Sequence, residues 1–592
     1  MTFTPAPAFT TRPTLRGTFG MSASTHWTAT ATAQAVLERG GTAFDAAVAA
    51  AFVLHVVEPH LNGPGGDLVG LVRPAGAAAP RVLMGQGPAP AGATIDVFRA
   101  QGLDLVPGAG GLAAAVPGAV DAWLVLLRDH GTWQLADVLQ YAIGYARDGH
   151  PLVAGAAATI GRVAGLFRDD WPSSAELWMP SGTAPAPGTV LRNPAYADVL
   201  EALAAADGPD RAARIDAARR VWSREVLPAA AAFVRVPHRH SDGEVRGGVL
   251  DAADLTAFSA GFEPAVSTRF RGWDVFKAGV WTQGPALLQT LRLLEPFDDD
   301  LLDPATPDGA HTLLEAQKLA YADRDAWFGD GDAAASADDL LDDGYLDARR
   351  ALLSEMASAE LRPGSPDGRT PVLPPLRIEA GVVAAGSTGE PTVDRSGQTR
   401  GDTCHLDVID RWGNVVSATP SGGWLQSSPA VPGLGFCLGT RLQATWLIDG
   451  HPAALTPGRR PRTTLTPTIV GRGDEVIALG SPGGDQQDQW QLPVLLRMIV
   501  GGYEPQQAID APTVHTTAVV DSFWPRTWSP AGAVVEDRIG AEVVDGLERR
   551  GHRVRRAGDW ALGRVSAVGR DADGVLWAAA NPRGMQGYAA GR

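Results

Sequence analysis

The sequence predicts an α+β fold in which sheets are layered with helices on their outer faces. One observation is the alternating pattern at 403–409, which a short turn returns as a second strand, as in a β-hairpin. Another is a pair of strand-like segments, 468–470 and 476–479, followed by a helical segment near 492–499. The last is a helix at 46–54 that is apolar almost all round, which indicates burial.

The N-terminal part of the chain predicts an arm followed by a helix, a turn and a strand. Residues up to His26 are polar and interrupted by proline, which indicates an arm or an edge strand. Thr42 and Asp45 have the spacing of a capping box, so we expect a helix to begin there and to end before Pro59. A glycine-rich turn at 62–67 then leads into a short strand.

Two further helical blocks are predicted, at 118–147 and 310–327. The segment 362–398 is rich in Pro, Gly, Ser and charge and has little periodicity, which is typical of a long mobile linker. After it, the loop 410–414 turns the chain back into a strand at 415–419.

Composition and charge restrict the class of protein. The 592 residues are 45% hydrophobic and 20% charged, which is ordinary for a soluble globular protein. A formal net charge of −16 disfavours nucleic acid as a partner. The longest apolar stretch, 46–57, is too short to span a bilayer and residues 1–16 lack a signal-peptide core, so we expect a cytoplasmic protein without membrane association. Cys404 and Cys437 are expected to be free, buried thiols.

Two segments contain the parts of an acyl-transfer site. Gly401–Asp410 passes from a loop into a strand, with Thr403 at the junction. In Gly480–Asp485 a strand runs into a turn that contains the adjacent glycines Gly483 and Gly484. A hydroxyl can attack the carbon of an amide, and neighbouring backbone amides can stabilise the oxyanion that forms. If the chain is cut before Thr403, the same residue also gains an α-amino group that can act as the base.

These two segments are part of a longer ordered series of motifs. Over most of its length the chain resembles a γ-glutamyltransferase-type member of the N-terminal-nucleophile (Ntn) hydrolases. The other segments that carry the resemblance are Gly41–Val48, Val116–Gly118, Glu315–Arg324, Pro457–Thr464 and Ala508–Pro512.

The resemblance implies a four-layer αββα sandwich and a proenzyme that cuts itself between Asp402 and Thr403. The Thr403 hydroxyl would attack the Asp402 carbonyl, and water would open the resulting ester. The products would be a large-subunit region, 1–402, with a mobile linker at about 362–402, and a small-subunit region, 403–592. The two chains are expected to remain associated in one fold, with a dimer of such units left open, and no cofactor is expected.

The resemblance also implies roles in the site. Thr403 is expected to be the nucleophile, Ser421 a hydroxyl that hydrogen-bonds it, and Gly483 and Gly484 the oxyanion hole. Their structural alternatives are a strand-forming threonine, a turn serine and a tight turn. A phosphate loop is disfavoured because no Gly-Lys-Ser/Thr sequence follows the glycines.

Departures from the family's pattern concern substrate binding. Where the family has an arginine for the donor α-carboxylate, this chain has Gln86, and the stretch 440–444, which includes Gln443, has no acid for the donor α-amino group. Each such charge-assisted contact is worth about 1.5–3 kcal/mol. Thr463 and Thr464 replace a family serine pair; their hydroxyls can still donate, or the two residues simply fill a strand.

Arg441 and Arg462 lie near the same place, where the family usually has uncharged residues. Two guanidinium groups beside a threonine nucleophile suit a small substrate that carries a carboxylate and no ammonium. The alternative for Arg462 is a pair with a surface acid. Trp424 is expected either to narrow the pocket or to pack in the core.

The sequence therefore predicts a self-processing threonine amidohydrolase that acts on a small, carboxylate-bearing amide through an acyl-enzyme ester, with water or an amine as acceptor. The alternatives are a true γ-glutamyl transferase or glutathione hydrolase, and an unprocessed, inactive relative that binds a ligand or partner. No metal site is predicted, because His238 and His240 lack further ligands that the sequence can place.

Overall fold

The computed structural model describes residues 3–378 and 403–592. Two antiparallel, seven-stranded sheets face each other, and each carries helices on its outer face. This is the αββα sandwich that the resemblance implies. Within the described ranges, no helix has both the length and the apolar character needed to cross a membrane.

The first sheet, named the nucleophile sheet here, contains the hairpin that begins after Thr403. Its strands, in spatial order, are β23 (Tyr588–Gly591), β2 (Gly20–Ser24), β13 (Leu406–Asp410), β14 (Val415–Ser421), β3 (Asp67–Arg73), β4 (Arg81–Gly85) and β9 (Gly261–Pro264).

The second sheet, named the glycine-turn sheet, contains the strand that leads into Gly483 and Gly484. Its strands, in spatial order, are β1 (Leu15–Gly17), β22 (Leu576–Ala580), β21 (Ser566–Arg570), β16 (Glu475–Gly480), β15 (Thr468–Arg472), β11 (Trp273–Lys277) and β10 (Val266–Phe270).

The helices and the remaining short strands form the outer layers and the loops between them. The helices are α1 (Trp27–Glu38), α2 (Ala43–Val57), α3 (Ile95–Ala100), α4 (Ala119–His130), α5 (Leu135–Asp148), α6 (Ala154–Asp169), α7 (Pro172–Trp178), α8 (Pro194–Ala204), α9 (Arg211–Val221), α10 (Leu227–Val234), α11 (Ala252–Ala257), α12 (Pro285–Leu294), α13 (Pro307–Trp327), α14 (Ala337–Leu340), α15 (Asp343–Arg350), α16 (Gln487–Ile499), α17 (Pro505–Asp510) and α18 (Ala541–Arg549). The short strands are β5 (His150–Pro151), β6 (Val190–Leu191), β7 (His238–Arg239), β8 (Val245–Arg246), β12 (Arg377–Ile378), β17 (Val514–Thr516), β18 (Thr527–Trp528), β19 (Gly532–Val535) and β20 (Arg553–Arg556).

Three layers of apolar side chains hold the sandwich together. Between the sheets, residues such as Leu71 and Ile409 pack against Ile469 and Ala478. The outer face of the nucleophile sheet packs against α1, α2, α4 and α5, and that of the glycine-turn sheet packs against α12, α13 and α16. Both faces of each sheet are covered. Every residue of β13 and β14, and every residue of β16 except Glu475, is therefore buried, rather than every second residue.

Residues from both sides of position 403 contribute to each sheet. In the nucleophile sheet, β13 and β14 lie between β2 and β3. In the glycine-turn sheet, β15, β16, β21 and β22 lie between β11 and β1, which both come from before position 403. A cut before Thr403 would therefore divide the chain without separating two folding units, because strands of the two regions are hydrogen-bonded to each other within both sheets.

The local sequence signals identify several elements correctly. The capping box at Thr42 and Asp45 is present, and α2 ends at Val57. The hairpin β13–β14 and the strands β15 and β16 are where the pattern predicts them. Cys404 and Cys437 are buried, and within the described ranges neither is part of a disulfide, which agrees with the prediction of thiols.

Other predictions were only partly correct at the level of single elements. In the segment up to His26, residues 3–14 form no helix or strand and β1 is the edge strand of the glycine-turn sheet, as expected, but β2 is an inner strand flanked by β13 and β23. The block 118–147 is two helices, because the Asp45 carboxylate accepts hydrogen bonds from the amides of Thr132 and Trp133 and fixes a break there. The helix after the glycine turn begins at Gln487, earlier than its apolar stretch indicates.

The first part of the predicted mobile linker is docked on the protein. Gly364 accepts a hydrogen bond from the Trp327 indole at 2.9 Å, and Arg362 pairs with Glu315 at 3.1 Å. The strand β12 pairs in parallel with β18. Residues 362–378 are thus held by specific contacts, and the rest of the predicted linker lies outside the described residues.

Candidate active site

Thr403 lies three residues before β13, and its side chain faces the neighbouring strand β14. The Thr403 hydroxyl donates to Ser421 Oγ at 3.1 Å, and both residues are buried. The next amide, that of Cys404, donates to the carbonyl of Pro420 at 3.0 Å, so the hairpin ladder continues up to the threonine. Asp402, the residue before the expected cut, lies outside the described residues.

The glycine turn emerges at the same end of the sandwich as Thr403. Ser417 on β14 donates to the carbonyl of Leu479 on β16 at 3.4 Å. Farther along both strands, His405 bonds the Thr419 hydroxyl at 3.0 Å, and its ring lies where a methyl group on Gly480 would overlap it. The two strands therefore advance in the same direction, one toward Ser421 and the other toward Gly483.

The glycine turn has a backbone that requires glycine. Gly483 has φ 125° and Gly484 has φ 53°, both in the region that side chains disfavour, and a methyl group on Gly483 would overlap Trp490. The turn leads into α16, whose N-terminus contributes a positive potential. Gln283 fixes the turn by donating to the carbonyl of Gly484 at 3.2 Å. Such a turn suits backbone donors aimed at a developing oxyanion.

A buried ionic cluster lies directly beneath the turn. Asp485 accepts hydrogen bonds from Arg324 and from the amide of Ser522. Arg462 donates through Nη2 to the Ser522 hydroxyl at 2.7 Å and is 2% exposed. Its Nη1 is buried without a hydrogen-bond partner in the described part of the chain. Burial, with the nearby Arg324 charge, lowers the pKa of Arg462 to about 10.

The surface-acid alternative for Arg462 is therefore wrong. The side chain is buried, and no carboxylate among residues 3–378 and 403–592 lies within salt-bridge distance of it. Asp485 and Asp325 are close enough to favour its charge, but both are already paired with Arg324. Arg462 is thus a cation that the protein has left incompletely neutralised.

Unlike the charge of Arg462, the charge of Arg441 is balanced by a carboxylate. Its Nε and Nη2 atoms donate to the two oxygens of Asp67 at 2.5 and 2.8 Å, a bidentate pair with both residues buried. Asp67 stands opposite Ser421 in the β3–β14 register. The guanidinium therefore lies near the candidate site with its charge balanced, which reduces its capacity to attract a substrate carboxylate.

Thr463 and Thr464 lie beside the glycine turn. The carbonyl of Thr463 accepts from the amide of Gln283 at 3.0 Å, and the side chain of the same glutamine bonds Gly484. Both threonines are buried, and Thr464 Oγ1 has no hydrogen-bond partner in the ranges that the structure describes. This hydroxyl is therefore available to hydrogen-bond a bound ligand.

The remaining predicted binding residues hold the protein's own backbone. Gln443 donates to the carbonyl of Gly108 at 3.1 Å and accepts from the amide of Trp524 at 3.2 Å. The Trp424 indole donates to the carbonyl of Leu61 at 2.7 Å and is buried, which matches the core-packing alternative. Gln86 donates to the carbonyl of Gly87 and lies on the wall of a separate cleft.

Sequence reasoning missed four residues that build the site: Asp67, Asp485, Ser522 and Glu58. Asp67 and Asp485 each follow a pair of glycines, a signal that could have identified both as turn-fixing acids. Glu58 accepts hydrogen bonds from the Cys404 thiol at 2.9 Å and from the Thr25 hydroxyl at 2.6 Å. Burial raises the pKa of Glu58 to about 7.

Three buried residues, His311, Glu315 and His552, bring possible metal ligands together within 4.8 Å. The two histidines hydrogen-bond each other at 2.9 Å, and Glu315 is paired with Lys318 and Arg362. With two cations on its carboxylate, this group is accounted for as a hydrogen-bonded cluster. The imidazoles of His238 and His240 each accept from a backbone amide of the segment 111–112.

Comparisons with known proteins agree with this geometry. The family model described as gamma-glutamyltranspeptidase matches residues 29–591. The chain is 31% identical to the glutathione hydrolase-like YwrD proenzyme of Bacillus subtilis, covering 96% of this chain and 98% of that one. It is 30% identical to the oxamate amidohydrolase proenzyme of Klebsiella pneumoniae, covering 97% and 98%. Among solved structures, LmbA2991HD is 53% identical with a TM-score of 0.92, covering 99% of this chain and 100% of that one.

Proposed function

We propose that Thr403 is the catalytic nucleophile of this chain, which belongs to the gamma-glutamyltranspeptidase family of Ntn hydrolases. The chain is an amide-bond hydrolase, and we propose that it is made as a self-processing proenzyme. The names of both relatives above describe those proteins as proenzymes. The observation that carries the proposal is the hydrogen bond from Thr403 to Ser421, at the end of the sandwich where the glycine turn emerges.

Processing would use the same hydroxyl. Thr403 Oγ1 attacks the carbonyl carbon of Asp402, the C–N bond breaks, and an ester forms with Thr403 as its alcohol component. Water then hydrolyses the ester and leaves the Asp402 carboxylate and the Thr403 α-amine. Ser421, which accepts from Thr403 in the uncut chain, orients the hydroxyl for attack.

Turnover would repeat this chemistry on a substrate. The Thr403 α-amine takes the hydroxyl proton as Oγ1 attacks the amide carbon, and the turn at Gly483 and Gly484 stabilises the oxyanion. The same proton passes to the departing nitrogen as the C–N bond breaks. Water resolves the acyl ester and regenerates the threonine. An amine in place of water would give transfer.

The substrate class that we propose is a small amide whose acyl part carries a carboxylate. Arg462 supplies the binding charge, because its Nη1 is buried without a partner in the described chain and its neighbouring acids are engaged by Arg324. The unpartnered Thr464 hydroxyl supplies a second donor. One acyl group of this kind is the oxalyl group of N-methyloxamate, which has a carboxylate next to the amide and no ammonium.

Turnover of γ-glutamyl substrates is the competing function, favoured by the name of the YwrD relative. Against it, Gln86 replaces the expected arginine, and its side-chain amide donates to the carbonyl of Gly87 at 3.1 Å. An unprocessed binding protein is the remaining alternative. Turnover of γ-glutamyl-p-nitroanilide above that of N-methyloxamate would favour the first alternative, and a single stable chain on a denaturing gel would favour the second.

The direct test is to replace the nucleophile. We expect Thr403→Ala to abolish turnover and processing, whereas Thr403→Ser retains both at a reduced rate because it keeps the hydroxyl. Thr256→Ala, on an exposed face of α11, is the matched control and should behave as the wild type. Turnover by Thr403→Ala at a rate comparable to the control would refute the proposal.

A further inference from the structure

Glu58 lies at the end of α2 and brings together three chain segments near Thr403. It is the residue that follows the last turn of the helix, and it is fully buried. Its carboxylate accepts hydrogen bonds from the Thr25 hydroxyl at 2.6 Å, from the Cys404 thiol at 2.9 Å and from the side-chain amide of Gln586. These donors lie at the same ends of β2, β13 and β23, which are neighbouring strands of the nucleophile sheet. Glu58 therefore ties together one end of three adjacent strands.

Three hydrogen bonds hold Cys404, the residue after the proposed nucleophile. Its Sγ donates to Glu58 and accepts from the side-chain amide of Asn62 at 3.1 Å, and its backbone amide donates to the carbonyl of Pro420 at 3.0 Å. The side chain packs in the apolar layer that also contains α2. Successive side chains of a strand point to opposite faces, so Cys404 is anchored on the α2 face while Thr403 points to the other. Fixing Cys404 thus fixes the backbone from which the Thr403 hydroxyl projects.

The position of Thr403 needs support once the chain is cut before it. A new chain end is poorly ordered unless other parts of the protein hold it. Misplacement of a reacting group by about 1 Å can cost about a hundredfold in rate. Helix α2 suits the role of a fixed support, because a capping box begins it and all of its residues are buried.

We propose that Glu58 is a positioning residue that keeps the first residues of the small chain in place by holding the Cys404 side chain. The inference rests on the proposed function, because it assigns the contact that fixes Thr403 after the cut. Glu58 acts through Cys404 and takes no part in bond making or breaking. Asn62 is the second support of the same side chain.

Substitutions of Cys404 test the assignment through kcat. Cys404→Ala removes the hydrogen bonds of the thiol and should lower kcat for N-methyloxamate about tenfold with little change in KM, whereas Cys404→Ser keeps a donor and should recover most of the rate. The matched control is Cys437→Ala, which removes a buried thiol whose hydrogen bond goes to the carbonyl of Leu425 and should leave kcat unchanged. Assays at about pH 8.5 keep Glu58 ionised, because its pKa is about 7. A wild-type kcat in Cys404→Ala would overturn the assignment.

A double-mutant cycle tests whether Glu58 acts through Cys404. Glu58→Gln keeps the shape of the side chain but replaces one accepting oxygen by a donor, and it should also lower kcat about tenfold. The double variant with Cys404→Ala should lose little more than either single variant, because the second change removes a contact that is already lost. Two losses that multiply would refute the route through Cys404.

Hydrogen exchange, measured by mass spectrometry, separates this inference from the proposed function. In Cys404→Ala and Glu58→Gln, the peptide that covers 403–410 should exchange about tenfold faster, while peptides of β16 keep their wild-type rates. Cys437→Ala should match the wild type in both peptides. Faster exchange at 403–410 in a protein that stays a single, inactive chain would sustain the anchor and refute the proposed reaction. Unchanged exchange at 403–410, or an equal rise in β16, would refute the positioning role.

Discussion

Arg441 and Arg462 are both buried near the glycine turn and the nucleophile hairpin. They differ in whether the protein supplies a carboxylate as counter-charge. Arg441 makes a bidentate pair with Asp67, whereas Arg462 donates to the hydroxyl of Ser522 and contacts no carboxylate in the described chain. A buried cation is available to a ligand only where the fold has not already supplied its counter-charge.

The largest expected effect comes from breaking the neutralised pair. Arg441→Met leaves the Asp67 carboxylate buried without its partner, which typically costs about 3–5 kcal/mol of stability. Urea unfolding of the variant should show that loss, while Arg553→Met, at an exposed arginine on β20, should lie within about 0.5 kcal/mol of the wild type. A loss below 1 kcal/mol for Arg441→Met would mean that the pair is not the structural element described here.

Glu58 extends the comparison to an acid whose hydrogen-bond partners within residues 3–378 and 403–592 include no cation. Its pKa is about 7 in the folded protein, against an ordinary value of 4.5, so between these values the folded state holds a proton that the unfolded state lacks. Its contribution to stability is therefore fully present below pH 4.5 and is lost as the pH rises through 7.

Glu58→Gln should remove this dependence. The unfolding free energy of wild type minus that of the variant should fall by up to about 3 kcal/mol between pH 4.5 and pH 7.5, since one pKa unit corresponds to about 1.4 kcal/mol. Urea titrations at several pH values give this difference. A difference that stays constant with pH would contradict the raised pKa of Glu58.

Arg462→Met should affect substrate binding more than folding. Loss of a charge-assisted contact of about 1.5–3 kcal/mol predicts a KM for N-methyloxamate that is higher by tenfold or more. Arg462→Lys should recover part of that loss, because a point charge remains without the planar geometry. An unchanged KM, or a loss of stability as large as that of Arg441→Met, would remove the contrast between the two arginines.

The smallest expected effect is that of Ser421→Ala. The variant loses the hydrogen bond that orients the Thr403 hydroxyl, worth about 1 kcal/mol, so kcat should fall about fivefold to tenfold with little change in KM. Steady-state kinetics on fully processed protein gives both values. A changed KM with an unchanged kcat would assign Ser421 to binding instead.

The sequence could predict the layered fold, the hairpin after Thr403 and the glycine turn, because each has a local signal in alternation, turn residues or glycine spacing. It could not predict that β2 is an inner strand, since its neighbours β13 and β23 come from the far end of the chain. For the same reason it could not separate Arg441 from Arg462. Asp67, which pairs with Arg441, lies 374 positions away in the chain and is brought there by the sheet register.

N-terminal sequencing of the small chain from an active preparation is the sharpest test of self-processing at Thr403. We expect two chains in equal amounts, with the small chain beginning at Thr403, and a single chain for Thr403→Ala. An active wild-type enzyme that remains uncut, or a small chain that begins at any other residue, would contradict it.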